Sequence, residues 1–326
     1  MHEFELIEWI RTHAVLGRGD VILGIGDDAA ILDVPTGHEL LVSTDTLVAG
    51  VHFPIGTAAA DIGWKSLAVN LSDLAAMAAT PAWVSLALTL PAIDEPWLRG
   101  FFEGFHALAR THQVSLIGGD CTRGPLSITV TIHGFAPRGA AIRRSGARPG
   151  DSLVLFGEVG LAAAGLRVQM ARPEHERAGL PDDAVTAPWV QALNRPVPLN
   201  HLAPILRGKV NALIDVSDGL IADLNHILRA SSVGARVALE TLPALNELSA
   251  VHGLAAAQSM LLSGGDDYAL LAAVPVEQVE HVLSEARAAG VAAQVVGSFE
   301  AEPGVRVFCA GQTLVLPERQ GFNHFP

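Results

Sequence analysis

Lysine is almost absent from this sequence: Lys65 and Lys209 are the only two, and neither follows a glycine-rich loop. The P-loop pattern is therefore missing, so any nucleotide phosphate must be neutralised by metal ions on carboxylates, by backbone amides or by arginine. Cysteine is as scarce. Cys121 and Cys309 lack the paired spacing of a zinc site or a disulfide framework, and they fit a reducing compartment. Positive charge is also short. There are 21 Lys and Arg against 34 Asp and Glu, a formal net charge of -13, which disfavours a nucleic-acid partner, whose backbone needs a basic face. No apolar run approaches the ~18 to 20 residues that cross a bilayer. The start, Met1-His2-Glu3-Phe4-Glu5, has no basic segment followed by an apolar one. The expectation is a soluble, cytoplasmic protein with no membrane or nucleic-acid partner.

Half of the 326 residues are hydrophobic and 17% are charged, while 32 glycines and 19 prolines punctuate the chain. That composition belongs to a compact α/β (α+β) protein, and the length to two domains, each able to bury its own core. Phe4, Ile7 and Ile10 predict a helix over 3–13, and Val21 to Ile25 a strand running into Gly26-Asp27-Asp28. A second strand, Glu39 to Ser43, is expected to end at Thr44-Asp45-Thr46. The spacing of Trp64, Leu67, Leu71 and Leu74 predicts a helix over 61–79 that carries Asn70 and Asp73 along one side. Strands over 82–90, 114–117 and 127–132 and a helix over 96–112 complete a first half of mixed sheet plus helices. The stretch from Pro137 to Asp151 reads as the boundary between an N-terminal domain, 1–137, and a C-terminal domain, 138–326. In the second half, strands are expected at 151–157, 212–214, 235–239 and 269–274, and helices at 219–230 and 276–288.

The aspartates carry the chemistry. Asp27 and Asp28 on a tight turn, Asp45 at a strand end and Asp73 on the next helix are expected to meet at one sheet edge, where hard oxygen ligands suit magnesium. Any one of these acids also reads as a helix cap or a turn closer. The adjacency of Asp27 and Asp28 favours a cation, because like charges repel in a tight turn. Gly118-Gly119-Asp120 reads as a turn after a strand, suited to phosphate or to a plain hairpin, and Arg143-Arg144 as phosphate binders or a solvated pair. Within Asp215-Val216-Ser217-Asp218-Gly219, Ser217 or Asp218 is the expected helix N-cap, with helix amides open to an anion. Ser263-Gly264-Gly265-Asp266-Asp267-Tyr268 repeats the pairing of acids after a Gly-Gly turn. His52 is either a substrate contact or a structural histidine, and Tyr268 and Phe322 read by default as core aromatics.

Seven ordered blocks run along nearly the whole chain: Gly26-Asp27-Asp28-Ala29-Ala30, Ser43-Thr44-Asp45-Thr46, Asn70-Leu71-Ser72-Asp73, Gly118-Gly119-Asp120, Arg144-Ser145-Gly146, Asp215-Val216-Ser217-Asp218-Gly219 and Ser263-Gly264-Gly265-Asp266-Asp267-Tyr268. Together they resemble the thiamine-monophosphate kinase family, in the fold group that includes aminoimidazole ribonucleotide synthetase and selenophosphate synthetase. The resemblance implies an ATP-dependent phosphorylation of thiamine monophosphate to thiamine diphosphate by direct transfer, assisted by several Mg2+ ions. It implies that Asp28, Ser43, Thr44, Asp45, Asp73, Asp120, Asp215 and Asp218 hold the metals. Gly119, Asp120, Arg144 and Ser217 would contact ATP, and His52, Asp266 and Phe322 would face thiamine monophosphate. No side chain is implied as a covalent catalyst. A homodimer is implied in which N-terminal sheets close around a shared core, with a sandwich-like C-terminal α/β domain and an active-site cleft between domains.

Two departures fall on the substrate side. Asp266 stands where the family usually has Glu, and Phe322-Asn323-His324-Phe325 replaces an ending of aromatic-Asp-His-Phe. Selenophosphate synthetase chemistry calls for a cysteine or selenocysteine near the N-terminus, whereas the first cysteine here is Cys121. A metal- or nucleotide-binding module without turnover is the alternative from another class, and the intact set of acids argues against it.

Overall fold

The computed structural model describes residues 3–13, 17–316 and 321–322, and the chain divides into two units. The first holds the chain up to Leu74, together with Ala79–Gly139 and Gln169–Leu180. In chain order it contains α1 (Glu3–His13), the pair β1 (Val21–Leu23) and β2 (Ile31–Leu32), β3 (His38–Val48), α2 (Ala59–Ala76), β4 (Thr80–Leu90), α3 (Glu95–Thr111), β5 (Ser115–Arg123) and β6 (Ser127–Pro137). Four strands form a mixed sheet in the order β3-β6-β4-β5, in which only the β4–β5 pair is parallel.

Sequence period explains α3. Leu98, Phe101, Phe102, Phe105 and Leu108 fall on one buried stripe, and each buried Phe is worth about 2 to 3 kcal/mol. The Asp94 side chain starts the helix by accepting from Trp97 N–H at 3.2 Å. On α2, Leu67, Leu71 and Leu74 are buried at the predicted spacing. Trp83 on β4 is fully buried, and its indole N–H donates to Asp20 Oδ1 at 3.0 Å.

Among the strands that run further than the sequence predicts, two change the setting of candidate residues. β3 continues to Val48 and pairs with β6 along all eleven residues, so Asp45 lies inside a strand and not at its end. Thr44, Thr46 and Val48 are β-branched and suit a pleated surface, which carries the chain past Ser43. β5 likewise passes through Gly118-Gly119-Asp120 to Arg123, where a turn was expected.

The second unit comprises Ala75–Ala78, Ala140–Val168 and the chain from Pro181. Its elements are β7 (Ser152–Phe156), α4 (Leu161–Ala171), α5 (Ala187–Asn194), α6 (Ala203–Leu206), β8 (Ala212–Val216), α7 (Leu220–Ser231), β9 (Gly234–Ala238), α8 (Leu245–His252), α9 (Leu254–Ser263), β10 (Ala269–Val274), α10 (Val279–Ala288), β11 (Ala293–Glu300), β12 (Gly304–Cys309) and β13 (Gln312–Thr313). Seven strands form one sheet in the order β13-β12-β9-β11-β7-β10-β8, in which only β12 and β9 pair in parallel. β8 and β10 are buried along their whole length, and Leu153, Leu155, Ile214, Val216, Leu220, Leu224 and Leu271 pack into one core. The fold is thus mixed α/β in two domains. The sequence reading passes over α4, α5, α8, α9, β11 and β12. Runs such as Leu254-Ala255-Ala256-Ala257 have too little polar contrast to display a helical period. No helix among the described residues is long and apolar enough to cross a membrane.

Candidate functional site

In the first unit, the pleat of β3 sorts the candidate residues onto two faces. Leu41 and Leu47 are buried on one, and Ser43 and Asp45 share it by the two-residue period. From α2, Asp73 Oδ2 accepts a hydrogen bond from Ser43 Oγ, and Asn70 Oδ1 accepts from Asp45 N–H at 3.2 Å. Asn70 is itself fully buried and anchored by donating to Ser66 C=O at 3.1 Å. The expected side of α2 carrying Asn70 and Asp73 therefore docks against the middle of β3. Thr44 faces the other way, its hydroxyl paired with that of Thr131 at 2.9 Å, and Thr46 pairs likewise with Thr129. The side chain of Thr44 therefore does not share the face of Ser43 and Asp45.

Asp120 belongs to the face of Thr44. It lies opposite Ala87, which lies opposite Thr129, which lies opposite Thr46. The sheet thus separates Asp120 from Asp45. The β4–β5 ladder shifts register where Leu116 and Gly118 pair with Val84 and Ser85, and the close approach beyond it requires glycine: a Cβ on Gly119, at φ +152°, would sit 1.8 Å from Leu86 C=O. Asp28 is exposed, and its N–H donates to Asp27 Oδ1 at 2.8 Å, so Asp27 closes its own turn. His52 is held at the end of β3, where its Nδ1 accepts from Val48 N–H at 2.9 Å, which puts the proton of the neutral ring on Nε2.

Within each unit, no group of three or more His, Cys, Asp or Glu among the described residues is close enough to hold a metal ion. The four carboxylates expected to meet are not gathered into such a group. The donor chemistry still fits a hard cation: hydroxyl and carboxylate oxygens from Ser43, Asp45 and Asp73 converge on one face, and magnesium takes one or two carboxylates with waters and phosphate oxygens.

In the second unit, β8 delivers Asp215, only 4% exposed, to the segment that leads into α7. The N-cap of α7 is Gly219, without a side-chain bond, and not Ser217 or Asp218 as expected. The backbone N–H groups of Ser217, Asp218 and Gly219 all donate to Asp223 Oδ2, at 3.0, 3.0 and 3.2 Å. Those amides are therefore spent inside the chain, and Ser217 and Asp218 offer their side chains. Burial pushes the Asp223 carboxyl up to about 7, assisted by the charges of Asp215 and Asp218 and opposed by the amide bonds. Asp223 escapes the sequence reading because it lies on the apolar side of a helix among Leu220, Ile221 and Leu224. Its spacing after Asp218-Gly219 was the available signal.

The Gly-Gly-Asp-Asp-Tyr segment locks onto this loop. Asp266 N–H donates to Ser217 C=O and Tyr268 N–H to Val216 C=O, both at 2.8 Å, while Phe322 N–H donates to Asp218 C=O at 3.1 Å. Gly265 permits the approach, since a Cβ there would lie 2.4 Å from Ser217 C=O. Asp266 and Tyr268 adopt left-handed backbone, φ +67° and +53°, and the tyrosine hydroxyl donates to Asp266 Oδ1 at 3.0 Å. Asp tolerates that backbone better than most side chains, a physical reason for the shorter acid at this position. Phe322 is 47% exposed, which overturns the default reading of it as core. Asn323, His324 and Phe325 lie outside the described residues.

Asp267 points elsewhere. Its Oδ2 accepts from Gly160 N–H at 2.8 Å and its Oδ1 from Ala162 N–H at 3.2 Å, at the start of α4. Burial of this carboxylate pushes it up to about 8 against the pull of those two amides. Arg144 is exposed on a segment tied to α7, where Ser231 Oγ accepts from Gly146 and Ala147 N–H at 3.1 Å. His226 on α7 is held below its usual range first by burial, then by Arg144 and Arg229, with Asp218 pulling the other way. Arg144 and Asp218 thus act on one neighbourhood.

Residues 26–136 match the AIR synthase related protein, N-terminal domain, and residues 148–310 the AIR synthase related protein, C-terminal domain. The chain is 44% identical over 325 residues to thiamine-monophosphate kinase of Escherichia coli strain K12, covering 99% of this chain and 98% of that one. It superposes on a crystal structure of thiamine-monophosphate kinase from Stenotrophomonas maltophilia K279a with a TM-score of 0.87 and 43% identity, over 96% and 98% of the two chains. A structure of AaThiL complexed with AMPPCP and TMP gives a TM-score of 0.76 at 29% identity, over 99% and 97%.

Proposed function

Because the chain belongs to the thiamine-monophosphate kinase family of AIR synthase related proteins, we propose that it transfers the γ-phosphate of ATP to thiamine monophosphate, yielding thiamine diphosphate and ADP. One observation carries the reading beyond likeness. The backbone bonds from Asp266, Tyr268 and Phe322 to Val216, Ser217 and Asp218 tie the segment read as meeting the nucleotide to the segments read as meeting the acceptor. Phosphoryl transfer needs that common frame, because its catalysis consists of positioning and charge stabilisation.

In this reading Gly119, Asp120, Arg144 and Ser217 contact ATP, and His52, with its Nε2 proton, Asp266 and Phe322 receive thiamine monophosphate. Asp28, Ser43, Thr44, Asp45, Asp73, Asp120, Asp215 and Asp218 would hold several Mg2+ ions. The ions would supply charge neutralisation at the phosphates. The acceptor's phosphate oxygen attacks the γ-phosphorus in line and ADP departs; that oxygen is already ionised near neutral pH, so no strong base is needed. The N-terminal domain, residues 1–137, contributes the residues around β3 and the dimer face, and the C-terminal domain, 138–326, contributes the loops around α7. A homodimer is supported by the open face of β3, where Leu40 and Val42 are 45% and 55% exposed beside Thr44 and Thr46. A cytoplasmic location is supported by the scarcity of cysteine and the unpaired spacing of Cys121 and Cys309 in the sequence.

Product analysis with ATP, magnesium and thiamine monophosphate tests the reading. Thiamine diphosphate and ADP should form together and vanish with a chelator. Release of free phosphate without the acceptor would replace the kinase with a hydrolase.

A further inference from the structure

Three successive N–H groups that converge on one point form a concave receptor for an anion, the arrangement that commonly takes phosphate. At Ser217-Asp218-Gly219 that receptor is filled from within by Asp223 Oδ2. Asp223 stands in the first turn of α7, 4% exposed, with its own N–H bonded to Gly219 C=O at 3.0 Å, so the carboxylate is mounted on a regular element. The carbonyls of Val216, Ser217 and Asp218 are engaged at the same time by Tyr268, Asp266 and Phe322. The segment is therefore gripped through its amides by one side chain and through its carbonyls by the loops that carry Asp266 and Phe322.

We infer that Asp223 is a positioning residue: it shapes the segment from Asp215 to Gly219 so that Ser217 and Asp218 meet the nucleotide and its metal while Asp266 and Phe322 meet the acceptor. This rests on the kinase reading of those four residues. Asp223 touches neither substrate. Its carboxylate replaces phosphate in the amide receptor, so the nucleotide meets side chains and metal at this point and not a bare helix terminus.

Asp223→Asn keeps the size and one acceptor oxygen, whereas Asp223→Ala keeps neither. In full-length variants shown to be folded by circular dichroism, the KM for ATP should rise roughly tenfold in Asp223→Asn, the effect of about one charge-assisted hydrogen bond, and further in Asp223→Ala. The KM for thiamine monophosphate should rise with it, because the two loops move together. A lower melting temperature with both KM values within about twofold of the unaltered enzyme would mean a purely structural role and would overturn the proposal. Hydrogen exchange on the unaltered protein gives a reading that needs no variant. The amides of Ser217, Asp218 and Gly219 should exchange slowly in the free protein and stay slow with magnesium and AMPPCP; protection that arises only with the nucleotide would overturn it. If the protein fails to phosphorylate thiamine monophosphate, the kinase reading falls by itself. Calorimetric binding of magnesium and AMPPCP to the same variants then still decides the role of Asp223, with unchanged affinity counting against it.

Discussion

Ser43 and Asp73, thirty residues apart in the chain, are joined by a hydrogen bond from the serine hydroxyl on β3 to the carboxylate on α2. Beside it, Asn70 on the same helix accepts from the backbone of Asp45. Two helix residues at i and i+3 thus meet two strand residues at i and i+2, which brings the hydroxyl of Ser43 and the carboxylates of Asp45 and Asp73 to one face.

Asp73→Asn and Asp45→Asn should each lower kcat by at least about 100-fold, the usual scale for losing a group that neutralises transition-state charge. Both variants should melt within a few degrees of the unaltered protein, since Asn keeps the size and an acceptor. Steady-state rates and melting curves check this, and near-normal turnover would remove that residue from the metal site.

Phe322→Ala should raise the KM for thiamine monophosphate about tenfold, as expected for loss of one aromatic contact of ~1.5 kcal/mol. The KM for ATP should stay put. Stability should be nearly unchanged, because the ring is about half exposed. A parallel rise in both KM values would show that the ring serves the loop and not the acceptor.

Val42→Asp places a charge on the open face of β3, where the side chain is 55% exposed in the single chain. If two copies pair through this face, burying an unpaired carboxylate there should shift the mass from dimer to monomer. Light scattering after size exclusion reads the result. A dimer that persists would move the interface elsewhere.

The Asp267 carboxyl is raised to about 8 in the fold, so between roughly pH 4 and 8 the folded chain holds a proton that the unfolded chain has lost. Its contribution to stability therefore declines as pH rises through that window. Asp267→Asn, which cannot ionise, should lose less of its melting temperature than the unaltered protein on going from pH 4 to pH 8.5. An equal loss in both would assign the pH dependence to other groups.

Local pattern carried most of the first domain. The helical spacing of Leu67, Leu71 and Leu74 specifies α2 and, with it, the common side of Asn70 and Asp73; the phenylalanines of α3 do the same for its buried stripe. The ordered blocks around Ser43-Thr44-Asp45, Gly118-Gly119-Asp120, Asp215 to Gly219 and Ser263 to Tyr268 were enough to reach the family from sequence, because a family likeness is itself a linear pattern. Ala-rich α9 and short α8 left no such trace, since apolar residues on every side of a helix remove the contrast that a period needs.

What only the tertiary structure decided is direction and partner. β3 is held as one eleven-residue strand by β6, and that pairing turns Thr44 and Asp120 to one face and Ser43 and Asp45 to the other, a sorting that depends on a register shift at Val84/Ser85. Adjacent acids likewise took unlike roles: Asp266 stays beside Tyr268, while Asp267 turns to the amides of Gly160 and Ala162, more than a hundred residues away. Asp223 is marked in the chain only by its spacing after Asp218-Gly219, for its importance lies in three amides that fold back onto one oxygen. A sequence displays which residues can donate, accept or carry charge. Which of them face each other is set by backbone pairing and burial across long separations, and those exist only once the chain has folded.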